Sequence, residues 1–138
     1  MSWIPNHSVG PFIFREKITK YEKYRINYYS LYSRVTPFMG YYWFKSFEEL
    51  YIFHSSDQND NRLIIDSIHS TKYLYYKGQN LLKMNIQDVF RLLGKPNTID
   101  GMDMPDNTYQ TVYDFDQFCA QIYTISDIVV NVITWKGE

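Results

Sequence analysis

Three aspartates at a spacing of three, Asp100, Asp103 and Asp106, come nearest in this chain to a chemical motif. On a helix that spacing would stack the carboxylates on one face, where they could share a divalent cation. Gly101 and Pro105 stand among them and exclude the helix, so the segment Asn97 to Asn107 is expected to be a solvated acidic loop open to a partner. A second candidate, Asp57 to Asn61 (DQNDN), lacks the glycine and the terminal bidentate glutamate of a calcium loop. A turn between two strands explains its residues as well. His7, His54 and His69 fall in three different elements without ligand spacing. Cys119, between Phe118 and Ala120, is expected in an apolar strand as a packed thiol. A G-x-S-x-G elbow and a phosphate-cradling glycine loop are both missing. The inventory predicts no enzyme, no metal and no cofactor.

Charge is more informative than any motif. The net charge is −1, yet residues 15–34 carry six basic groups against Glu16 and Glu22, and residues 97–138 carry seven acidic groups against Lys136. In the basic stretch, Lys17, Lys20, Lys23 and Arg25 alternate with tyrosines, a pattern that suits single-stranded nucleic acid. Helical spacing would instead pack several of those tyrosines on a sheet, and the slightly negative total argues against nucleic acid. In the acidic half, Asp114 and Asp116 are placed at a hairpin corner near the Asn97 to Asn107 loop. Together with Tyr109 and Tyr113 these acids would suit a basic protein surface, through charge-assisted bonds and aromatic anchors. The expected interface is therefore Asp100, Asp103, Asp106, Tyr109, Tyr113, Asp114 and Asp116, with Tyr41, Tyr42 and Trp43 next. An ordinary solvated edge accounts for the same charges.

The elements that must position these residues repeat. Aligned at an offset of 68, Gly10 matches Gly78, Phe14 matches Leu82, Arg15 matches Lys83 and Ile18 matches Ile86; at an offset of 65, residues 62–68 match 127–133. Asn85 predicts an N-cap, and Ile86, Val89, Phe90 and Leu93 form one apolar helical stripe ended by Gly94 and Pro96. A shorter helix is expected from Glu16 to about Tyr24. Residues 3–11 read as an irregular lead-in. Strands are expected over 27–36, 40–45, 50–54, 62–70 and 71–76, and again over 108–115, 118–125 and 128–135, the last three as a meander. The expected fold is α+β: one domain over 1–138, an antiparallel sheet from two helix-plus-meander units (about 8–76 and 77–138), with short helices packed on one face. Met1 to Asn6 lacks the basic and apolar regions of a signal peptide, and no apolar run is long enough for a membrane helix, so a cytoplasmic location and no membrane contact are expected.

With both units defined, the chain resembles a tandem form of the fold shared by the β-lactamase inhibitor protein and the small outer-membrane lipoproteins. The resemblance rests on the helix from Asn85 to Gly94, its Gly94-Lys95-Pro96 turn and the meander after it. Residues 8–14 and 128–133 are similar to small bacterial immunity proteins, including those of contact-dependent growth inhibition. The first unit departs from the pattern, having no Gly-x-Pro after its helix, and the lipoprotein cysteine is missing. The resemblance implies a cytoplasmic immunity protein that binds and neutralises a cognate toxin domain, such as a nuclease, by occluding its active site or substrate surface. The alternatives are a nucleic-acid-binding module built on residues 17–34, or a small ligand-binding domain with a pocket between sheet and helices.

Overall fold

Alternating apolar and polar residues write the sheet most plainly where a strand has one wet and one dry face. Along Ala120–Ile125, buried and half-buried positions alternate without interruption. A computed structural model describes residues 1–17, 20–21, 27–29, 40–44, 50–56 and 63–137, with backbone alone at 27–29, 40–44, 50–51, 53–56 and 63. Its strands are β1 (Trp3–Ile4), β2 (Ser8–Val9), β3 (Phe12–Ile13), β4 (Asn27–Tyr29), β5 (Gly40–Phe44), β6 (Leu50–Ser56), β7 (Leu63–Ser70), β8 (Tyr75–Tyr76) and β9 (Gln79–Asn80). Helix α1 (Ile86–Leu93) follows, then β10 (Thr98–Asp103), β11 (Tyr109–Phe115), β12 (Ala120–Ile125) and β13 (Ile128–Trp135).

Among the described residues, eight strands form one antiparallel sheet in the order β10-β11-β12-β13-β7-β6-β5-β4. It consists of two four-stranded meanders joined by their last strands, with Ser67 to Ser70 of β7 paired to Trp135 to Val132 of β13. Each meander carries a bulge in its fourth strand. Phe53 pairs with Ser67 but His54 with Ile65, which leaves Asp66 unpaired; Tyr123 pairs with Asn131 but Thr124 with Val129, which leaves Val130 unpaired. The extra residue resets the alternation, so Ile65 and Ile68, and likewise Val129 and Val132, are buried on one face at a spacing of three.

The link into each meander makes the same backbone bonds in both halves. Arg15 N–H donates to Ile65 O at 2.8 Å and Ile65 N–H to Glu16 O at 2.9 Å; Lys83 N–H donates to Val129 O at 2.8 Å and Val129 N–H to Met84 O at 2.9 Å. The partners are related by 68 positions on one side and 64 on the other. Arg15 and Lys83 also share a left-handed backbone, with φ of 69° and 68°. After the second link Asn85 starts α1, its side chain accepting from Gln87 N–H at 2.9 Å, and Gly94 N–H closes the helix on Phe90 O. Ile86, Val89 and Leu93 bury the apolar stripe against the sheet core with Phe115, Ile122 and Val132. Trp3, Tyr76 and Phe118 form an aromatic cluster with centroids 5.4 to 6.1 Å apart.

Several expectations need correction. The fold is mainly β, not α+β: α1 is the only α-helix among the described residues, and strands dominate the rest. The Glu16 to Tyr24 helix falls largely outside the described residues, as do residues 30–36 of the Tyr-rich strand and the 57–61 loop. Residues 3–13 are a small three-stranded sheet, not an irregular lead-in; each strand has only two residues, too few for alternation to show. Of 71–76, only Tyr75–Tyr76 is strand. Most consequentially, the supposed loop after Asn97 opens as strand β10. All six of its residues are exposed, so no hydrophobic period marked it.

Candidate partner interface

Among the described residues, strand β10 closes one edge of the sheet and pairs only with β11, from Thr98–Asp114 to Asp103–Tyr109. That register sorts the acids by face. Thr98, Asp100 and Met102 share a face with Asp114, Val112 and Gln110, on the side away from the helix. Ile99, Gly101 and Asp103 share the helix side with Tyr113, Thr111 and Tyr109. The side is fixed by Tyr113, whose ring meets the edge of Phe90 of α1 with centroids 5.5 Å apart. Side-chain bonds hold both ends of the hairpin. At its tip Asp106 accepts from Thr108 N–H at 3.1 Å and Thr108 Oγ1 at 2.6 Å. At its base Asn97 Oδ1 accepts from Asp116 N–H at 2.7 Å, and Thr98 Oγ1 donates to Asp114.

The expected interface residues therefore separate. Asp100 and Asp114 lie on the open face and Asp103 on the helix side. Asp106 sits at the tip and Asp116 at the opposite end of the strands. Tyr109 is 58% exposed, whereas Tyr113 is 7% exposed and belongs to the core, so it offers a partner nothing. Its odd-numbered phase points it at α1, and burial together with the Asp127 charge raises its pKa. Tyr41, Tyr42 and Trp43 lie in β5, six strand positions from β10 and so roughly 29 Å away at about 4.8 Å per strand. They do not join the acidic hairpin in one patch, and their side chains are outside the described residues.

What sequence reasoning passed over are Ile99 (60% exposed) and Met102 (43% exposed). With Tyr109 they put three of the six large exposed apolar residues among those described onto one hairpin, between its carboxylates. A loop reading gave them no face, so their exposure could not be inferred. The Thr108 bonds lower the Asp106 pKa and keep it ionised. No lysine or arginine occurs from residue 97 to 135. A shallow groove of about 440 Å³ adjoins the tip, bounded by Thr108, Tyr109, Thr111, Ile125 and Asp127.

Other candidates come apart. Cys119 is not in a strand: it is partly exposed, left-handed with φ of 52°, and follows a 3-10 turn at Asp116–Phe118. His69 is largely buried, which lowers its pKa to about 4 and keeps it neutral. Of the basic segment, Lys20 is described with its ammonium 3.5 Å from Glu16. No group of three His, Cys, Asp or Glu that could hold a metal occurs among the described residues, and no described helix is long and apolar enough to cross a membrane. No family model, curated protein or solved structure matches this chain.

Proposed function

We propose that this protein is a binding protein of the immunity type, which neutralises a toxin domain by covering a basic active site or substrate surface. The observation that carries the reading is the β10–β11 hairpin. It presents Asp100, Asp114 and exposed Met102 on the open face, Asp103 with exposed Ile99 and Tyr109 on the helix side, and Asp106 at the tip, in a stretch of chain without a single cation. Apolar anchors flanked on each face by one sign of charge favour a partner of the opposite sign, with the field speeding encounter and the anchors slowing release. Inhibition of this kind needs no chemistry from the inhibitor. The reading places the protein in the cytoplasm of the cell it protects.

The test is co-expression with the C-terminal domain of a large secreted protein encoded in the adjacent reading frame. Rescue of growth and co-purification of the two chains are expected. Asp100→Lys with Asp103→Lys should weaken the complex at least about tenfold while leaving the fold intact. Full rescue by the double variant, or failure to bind a basic toxin domain, would sink the reading.

A further inference from the structure

The free side of β10 carries a row of backbone groups that nothing described in the fold uses. Met104 N–H donates to Thr108 O at 2.8 Å, and the antiparallel register continues from that pair through Met102–Gln110, Asp100–Val112 and Thr98–Asp114. Alternation along the ladder aims the N–H and C=O of those residues at β11. The N–H and C=O of Ile99, Gly101 and Asp103 then point out of the sheet. Bulges, prolines and covering loops usually blunt such an edge. Here the strand pairs without a register break, contains no proline, and is exposed at all six residues.

Resting on the reading above as a protein-binding protein, we infer that β10 is a docking edge for an extended, lysine- or arginine-bearing segment of the partner, which adds to the sheet as a ninth strand. Backbone bonds to Ile99, Gly101 and Asp103 supply the pairing, as in other cases of strand addition. Side chains select the occupant. On the open face the incoming strand runs beside Thr98, Asp100 and Met102, with Asp114 one strand further in. On the helix side it runs beside Ile99 and Asp103, with the Tyr109 ring lying over Gly101. A carboxylate on each face asks for cationic side chains on both faces of the added strand, and Ile99 and Met102 ask for apolar residues between them. A second copy fits poorly. Antiparallel pairing of β10 with itself would bring the Asp100 and Asp103 carboxylates of two molecules onto neighbouring strands without a cation.

The test titrates the isotope-labelled full chain with a synthetic peptide repeating Lys-Lys-Val-Val, which sets both lysine and valine on each face of a strand. Slowed exchange at the amides of Ile99, Gly101 and Asp103 is expected. Ile99→Pro, which removes an outward N–H but no bond to β11, should weaken binding about tenfold. Asp100→Asn with Asp103→Asn should do the same and flatten the salt dependence. If Ile99→Pro does not fold, N-methylation of alternate peptide amides supplies the same loss from the other side. Absence of binding, or binding indifferent to N-methylation, overturns strand addition. Protection of these amides by protein concentration alone overturns it in favour of a second copy. Either result leaves the binding-protein reading standing if the adjacent toxin domain still co-purifies, and that reading falls separately if it does not.

Discussion

Single side chains mark where this fold departs from its own rules. Ser70 has no exposed surface, and its Oγ finds no hydrogen-bond partner among the described residues, whereas nearby Thr134 donates to Ile68 O. A buried hydroxyl left unpaired costs free energy, so Ser70→Ala should raise stability by about 1 kcal/mol in urea unfolding. His69 gives the opposite kind of signal. Its folded value of about 4 lies below the ordinary 6.5, so between those values the unfolded chain binds the extra proton. Stability should be level above about pH 6.5 and fall as pH drops towards 4, by on the order of 3 kcal/mol at most. His69→Gln should flatten that part of the profile, and an unchanged slope would assign it to other groups.

At the scale of elements, the hairpin that carries the proposed interface is held by a fit between two residues. The Tyr109 ring and hydroxyl occupy the space where a Cβ on Gly101 would stand. The aromatic covers the glycine diagonally across the strands, a pairing that offsets the weak strand propensity of glycine. Gly101→Ala should therefore destabilise the protein by about 1 kcal/mol, and Tyr109→Ala in the same chain should recover much of that loss in a double-mutant cycle. Strict additivity would mean that the ring moves aside freely. Helix α1 was readable because its cap, its stripe and its stop are all local: Asn85, then Ile86, Val89 and Leu93, then Gly94. Strand β10 was not, because a strand exposed on both faces has no period, and Gly101 and Pro105 read as loop signals. Tyr113 misled for a related reason: its composition suits an interface, but a one-residue phase along β11 decides which way it points.

For the whole molecule, the joint between halves is the defining feature. The two meanders meet through β7 and β13, and the N-terminus is tied across as well, with Tyr75 N–H donating to Met1 O at 2.8 Å. The core also runs through both halves, from Phe12, Ile65 and Ile68 to Leu81, Ile122 and Val132. Either half alone would expose a long strand edge and half a core. Fragments 1–72 and 73–138 should each lack cooperative unfolding when separate, and recover the dispersed amide spectrum of the intact chain when mixed. A folded 73–138 fragment would show that the seam is dispensable.

Where structure depended on neighbours in the chain, residue order was enough to read it: the capped helix, the strands from 108 to 135, and the acidic character of that half. Caps, hairpin turns and alternation all act within a few residues, so each leaves a local trace. Which strand became an edge, which tyrosine turned inward, and how far Trp43 stands from Asp100 were set by pairings between distant segments. Such pairings choose a register and an order of strands, and a side-chain period of two leaves both open until the sheet is assembled.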